Sequence, residues 1–326
     1  MTRRTPFVAG LVALPVLLGG CGVGEAVVGI HDAPAERSDG ASVTEETARD
    51  VASRVLDLAT DHRKAGDKAT AADRTEAFSG PALREASAAA ASKDDSGRSA
   101  QAPKDLEILG ISRGHDWPRA ILATSQVKGI QYLHVLVAQE ADQPYSLFAD
   151  VPMAAGSSVP ALAPVDEGSP VTVSEDPDEE VATAATAWAK GVTYPAPTKE
   201  PAAVSFEDAF STALQKNAEA KDEDLDDLAT YRQRQSTVDA ASVSFDLADG
   251  GQLTFLPMTR TDTITAGGKL KELTIEDEAL EHVLDASSVE EALSIKHAET
   301  LALVTPESGK AKVVGVSDVL RSAKGS

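Results

Sequence analysis

The chain has 326 residues, 52 acidic against 30 basic side chains, a formal net charge of −22 and a single cysteine. Nucleic acid and anionic lipid repel so acidic a protein, which excludes a nucleic-acid partner, and one cysteine excludes an internal disulfide framework. Aromatic residues make up only 4% of the chain, so its cores must be built from Ala, Val, Leu and Ile, and its length suits two core-forming domains.

The first elements in chain order form an export signal. Arg3 and Arg4 are a short positive region, Phe7 to Leu18 an apolar run, and Leu18-Gly19-Gly20-Cys21 a small-residue cleavage site. The run falls short of the roughly 20 apolar residues that span a bilayer. Leu at −3, glycines at −2 and −1 and Cys21 at +1 resemble the lipobox of bacterial lipoproteins. That resemblance implies a signal peptide over 1–20 that is removed, diacylglycerol on the Cys21 sulfur, and membrane lipid as a partner on the extracytoplasmic face. Thr5-Pro6 after the arginine pair fits twin-arginine export poorly, so general secretion is expected. Residues 21–41 carry no periodicity and read as a tether with an end-to-end distance of roughly 25 Å.

Ser42-Val43-Thr44-Glu45 has capping-box spacing, and Ala48, Val51, Ala52, Val55, Leu58 and Ala59 recur with helical period toward a stop at Gly66. Two shorter helices follow, the second opened by Ser79-Gly80-Pro81 and running to about Ala91, then a polar loop over 92–103. The period then changes to two. Leu106-Ile108-Gly110, Ala120-Leu122-Thr124, Tyr132-His134-Leu136 and Tyr145-Leu147-Ala149 predict four strands. Residues 154–177, rich in proline and acidic residues, predict a linker between a first domain over 42–153 and a second over 178–320.

The second half predicts helices at Asp178–Gly191, after Ser205-Phe206-Glu207-Asp208, and around Leu225–Tyr231. Strands follow at Val243–Leu247, Leu253–Phe255 and Asp262–Ala266. Helices near 275–284 and 288–294 then precede final strands around 297–304 and 311–317. The expected class is therefore α+β: two tandem units, each of helices followed by a curled antiparallel sheet.

A long helix, two shorter helices and four antiparallel strands over 42–153 are similar in layout to the cone-shaped nuclear transport factor 2-like fold. Trp117-Pro118-Arg119 at a strand start also looks like actinobacterial lipoproteins carrying such domains. The resemblance implies a concave sheet face that hosts enzymes, ligand pockets or interaction surfaces, and so fixes no activity.

Alternation places Tyr132, His134, Leu136 and Ala138 on one face of their strand. If that face is concave, Tyr132 and His134, with His62 on the first helix, are the candidate ligand-binding residues. Ser112 with His115-Asp116 is loop chemistry, because neighbours on a turn rarely face one another. Ser125-Gln126-Val127-Lys128 has Ser-x-x-Lys spacing without its companion motifs. The acidic run Asp222–Asp227 has Asp227 where a calcium loop needs glycine and Gln233 where it needs an acid, so it reads as the N-terminus of a helix. No catalytic residue, metal site or cofactor is expected. The sequence points to a lipid-anchored, non-enzymatic interaction or ligand-binding module, with an envelope protein or small molecule as partner. A carrier using the first cone, or a dehydratase- or isomerase-like enzyme by fold analogy, stands as the alternative.

Overall fold

Thr44 starts the first helix, α1 (Glu45–Ala65): its hydroxyl accepts the Thr47 amide at 3.2 Å. The cap is thus two residues later than the Ser42 spacing predicts, because the Ser42 hydroxyl instead bonds Ser112 at 3.0 Å. A computed structural model describes residues 40–93 and 103–326. The signal-peptide pattern over 1–20, Cys21 and the tether up to residue 39 lie outside the described residues. After α1 come α2 (Ala71–Ala77), opened by a capping box between Thr70 and Asp73, and α3 (Gly80–Ser92), with Pro81 in its first turn.

The described residues have a mixed α+β fold with six α-helices and largely antiparallel sheets. Strands β1 (Lys104–Ile111), β2 (Arg119–Val127), β3 (Ile130–Ala138) and β4 (Ser146–Pro152) form an antiparallel sheet in sequence order. The chain continues through β5 (Val171–Ser174), α4 (Glu179–Gly191), β6 (Val204–Ser205), α5 (Ala209–Leu225), β7 (Ala229–Thr237), β8 (Ser242–Asp246) and β9 (Gln252–Ala266). It ends with β10 (Leu273–Thr274), α6 (Glu278–Leu284), β11 (Ser288–Val289), β12 (Ala292–Thr305) and β13 (Ala311–Gly325). The larger sheet runs β5-β8-β9-β12-β13-β6, and β7 pairs with the far end of β9.

Strand alternation stacks these elements in layers. On β3, Leu133, Val135 and Val137 join a core with Phe245, Phe255, Ala302 and Val304 of the larger sheet. Leu136 faces the other way, into a core with Leu56 of α1 and Phe78. On β12, Ala302 and Val304 face the small sheet, while Leu301 and Leu303 pack with Val181 and Trp188 of α4 and Leu214 of α5. Asp39–Ser326 is therefore one compact unit of helices, small sheet, large sheet and helices. A full-size side chain buried at such a seam contributes about 1.5–3 kcal/mol.

The segment expected as a linker is part of this unit. Val171–Ser174 pairs with Ser242–Phe245 of β8, and Leu162 joins the core between the sheets. Beside it, Met153 bridges to Gly315 of β13, where a Cβ would stand 2.5 Å from the Pro152 carbonyl oxygen. Only glycine lets the ends of β4 and β13 approach that closely.

Three other expectations differ from the structure. Leu225–Tyr231 is a short 3₁₀ turn over Asp226–Leu228 and then strand β7, where alternating burial of Ala229, Tyr231, Gln233 and Gln235 has strand period. The helix expected over 288–294 is β11 and the start of β12. The acidic run at Asp222 lies at the C-terminus of α5, against the helix dipole. Its placement answers a local need: the Asp222 carboxylate accepts the Tyr194 hydroxyl at 2.7 Å and the Tyr231 amide at 3.2 Å.

Candidate functional site

Two buried polar networks stand out, one on each sheet. The first sits on the face of the small sheet that α1 covers and contains the histidine singled out by alternation. His134 on β3 lies between Ser125 on β2 and Asp150 on β4, its register partner. Its Nε2 is 2.7 Å from Ser125 Oγ. Its Nδ1 is 2.9 Å from Asp150 Oδ1, in a contact not aligned as a hydrogen bond. Arg63 of α1 donates to the second oxygen of Asp150. Tyr132 stacks on His134 with ring centroids 6.2 Å apart and planes 7° apart.

Of the three candidate residues, Tyr132 and His134 are therefore neighbours. His62 instead meets the Phe78 ring edge-to-face, with centroids 6.5 Å apart, and its chain neighbour Arg63 is what reaches the sheet. Serine, histidine and aspartate share the connectivity of a nucleophile, base and orienting acid. Ser125, His134 and Asp150 are only 1%, 2% and 4% exposed, and a substrate cannot reach a hydroxyl so enclosed. The network ties α1 to three strands through the Arg63–Asp150 ion pair and the Ser125–His134 hydrogen bond, a structural role that needs no substrate.

The second network is on the helix-covered face of the large sheet, where α5 crosses β7, β9, β12 and β13. Arg260 on β9 is its centre. Its Nη1 donates to Asp318 Oδ2 on β13 at 2.7 Å and to Glu299 Oε1 on β12 at 3.2 Å, and its Nε is 3.4 Å from Asp262 Oδ2. His297 Nδ1 and Asp318 Oδ1 are 2.7 Å apart, while its Nε2 stands 3.8 Å from Asp262 Oδ2. The register explains the assembly: Glu299 opposes Asp318, and His297 opposes Arg260.

The electrostatics of this group are strongly perturbed. Burial, then the Asp318 charge, pushes the Glu299 carboxyl up to about 8. Burial would also raise Asp318, but the His297 hydrogen bond and Arg260 outweigh it and bring that carboxyl down to about 2. The three carboxylates overcome the burial of Arg260 and hold its guanidinium charged. Burial and the Asp262 charge push the Tyr231 hydroxyl far up, so it stays a neutral donor.

This network, unlike the first, meets open space. A cleft of about 390 Å³ lies under α5, lined by Phe210, Asn217, Lys221 and Asp224 of the helix and by Tyr231, Gln233, Arg260 and Asp318 of the sheet. Lys221 Nζ hangs over its mouth, 5.4 Å from the Tyr231 ring centroid and 3.9 Å from Asp262 Oδ2. The volume falls within the range of small-molecule sites, and polar groups converge on a partly apolar wall. Among the described residues no cluster of His, Cys, Asp and Glu is arranged to hold a metal ion.

Another buried carboxylate, Glu85 on α3, accepts hydrogen bonds from Thr300 and, at 2.6 Å, from Ser317. These two residues face away from the cleft, so Glu85 fastens α3 to the back of the strands that carry Glu299 and Asp318.

Sequence reasoning misses the second network entirely. The network and the walls of its cleft are spread from Phe210 to Asp318, and the start of β7 falls where the sequence predicts helix. A usable signal is the run of polar residues at strand period in Tyr231-Arg232-Gln233-Arg234-Gln235. No protein-family model, curated protein or solved structure matches the chain.

Proposed function

We propose that the protein is a lipid-anchored, extracytoplasmic, non-enzymatic ligand-binding module, and that the cleft under α5 is its ligand site. The observation that carries this reading is a 390 Å³ cleft opening onto Arg260 and Asp318 of a buried five-residue charge network. Replacing a buried ion network with apolar residues is often neutral or stabilising, so stability alone gives little reason to keep one beside an open cleft. The lipobox-like run ending at Cys21 supports the anchor, and among the described residues no helix is long and apolar enough to cross a membrane. The tandem reading rests on layout: three helices precede the four-stranded sheet in the first half, and α4 and α5 precede β7, β8 and β9 in the second.

The cleft replaces the Tyr132–His134 face as the proposed ligand site, since that face is packed against α1. Proton-transfer chemistry is not assigned to the cleft. Glu299, the carboxyl poised near neutral pH, is fully buried behind Arg260, out of a substrate's reach.

Two measurements test the reading. A Cys21→Ser protein is expected to leave the membrane fraction of the producing cells, and persistence there overturns the anchor. Thermal unfolding of the full chain in detergent, with envelope small-molecule extracts, tests the cleft. The wild type is expected to gain stability as ligand binds, while Asn217→Trp, which fills the mouth from an exposed position, gains none. Equal gains in both proteins, or none in either, overturn the cleft reading.

A further inference from the structure

We infer that the cleft under α5 takes an organic cation, a small aliphatic amine whose ammonium group binds between the Tyr231 ring and the carboxylates behind it; this rests on the cleft reading above. The inference starts from the balance of charge. Asp224, Asp262 and Asp318 outnumber Arg260 and Lys221 in the cleft and its floor, and Glu299, which keeps its proton up to about pH 8, adds no positive charge to the balance. Arg260 is already committed to three carboxylates, so it offers an incoming anion little that is not shared. Asp318 stays ionised throughout the physiological range and is the most accessible carboxylate of the network, with 29% of its side chain exposed.

The second observation is Lys221. Its ammonium hangs from a stem that is 55% exposed and stands over the face of Tyr231, near Asp262. An aromatic face backed by a carboxylate attracts an ammonium through the ring quadrupole and through charge. The protein's own lysine thus occupies the position of a ligand cation, tethered by a chain long and solvated enough to swing aside. The third observation is unmet polar capacity. Asp262 Oδ1, on the carboxylate that Lys221 approaches, and both polar atoms of the Gln235 amide are buried without a hydrogen-bond partner among the described residues. Gln235 opposes Arg260 across the β7–β9 ladder. Such groups ask for a ligand or water. On the same helix, Asp222 holds the Tyr194 hydroxyl up at about 12, first through its hydrogen bond, then with burial and the charges of Asp222, Glu219 and Glu223, and a chain of net charge −22 draws cations toward itself.

The test is calorimetric titration of the full chain in detergent at pH 7 with spermidine, set against neutral 1,6-hexanediol and anionic adipate. Spermidine is expected to bind and the other two are not. Lys221→Met removes the internal competitor and is expected to tighten spermidine by about threefold, the strength of an exposed ion pair. Asp318→Asn is expected to weaken it about tenfold or more, as loss of a charged partner does. Asp224→Asn, an exposed position that leaves folding untouched, is expected to weaken it by about two- to threefold. Spermidine binding that none of the three variants alters overturns the inference, because the amine then sits elsewhere on the acidic surface. Absence of spermidine binding overturns it as well. Adipate or hexanediol binding that Asn217→Trp abolishes overturns the cation alone and leaves the cleft standing as the ligand site.

Discussion

The two polar networks use nearly the same chemistry and differ in what covers them. On the small sheet, Ser125, His134, Asp150 and Arg63 are closed over by α1 and the packing around Phe78. On the large sheet, Arg260, Glu299, Asp262, Asp318 and His297 lie under α5, which leaves a cleft beside them. A histidine between polar partners is therefore no marker of a site by itself. What separates the two networks is a route from solvent to a charged group, and the amount of charge left over once partners are counted.

The comparison predicts opposite responses to perturbation. The largest effect is expected in the closed network. Asp150→Ala leaves Arg63 without its carboxylate, and breaking one side of a buried pair costs about 3–5 kcal/mol. Chemical denaturation should show that loss, and a variant as stable as wild type would mean that α1 does not depend on the sheet network. The next effect is a pH dependence that belongs to the open network. The Glu299 carboxyl is raised from 4.5 to about 8, so the folded chain holds this proton more tightly than the unfolded chain does. Its contribution is complete below about pH 4.5 and is lost as pH rises toward 8. Every tenfold difference in proton affinity between the two states corresponds to about 1.4 kcal/mol, and partial relaxation around a buried group reduces the total. Asp318, lowered from 3.8 to about 2, acts the other way: its contribution is present above about pH 3.8 and is lost as pH falls through 2. Thermal midpoints should therefore fall between pH 5 and 8, and Glu299→Gln should flatten that slope. An unchanged slope in the variant would place the titrating group elsewhere.

Smaller effects sharpen the contrast. Ser125→Ala leaves His134 Nε2 without its partner and should cost about 1–3 kcal/mol, and Ser125 should resist fluorophosphonate labelling in the folded chain. Rapid labelling at Ser125 would show that the closed network opens. Lys221→Met should shift stability by less than about 0.5 kcal/mol, as solvent-exposed substitutions do. A larger loss would make Lys221 a structural member of the network instead of a side chain that yields to a ligand.

How much of this is legible in the sequence follows from the range of the interactions. Local periodicity locates α1 and the four strands of the small sheet, because each carries its own buried stripe or alternation. It also places Tyr132 and His134 on one face, which the structure shows to be the face under α1. It cannot show that the face is closed, since closure depends on Arg63 and Phe78 arriving from other elements. The open network is illegible for a related reason. Arg260, Glu299 and Asp318 meet only through the pairing of β9, β12 and β13, and each looks like an ordinary solvated charge in its own window. The proline-rich segment 154–177 misleads because β5 is four residues long and gains its stability from β8, not from its own pattern.

The most direct test of the central claim, that the cleft under α5 receives the ligand and the Ser125–His134–Asp150 network does not, is hydrogen–deuterium exchange on the full chain in detergent with and without saturating spermidine. The account predicts slowed exchange in peptides covering 209–237 and 258–264, with β2, β3 and β4 unchanged. Protection confined to β2–β4, or none in either region, would contradict it.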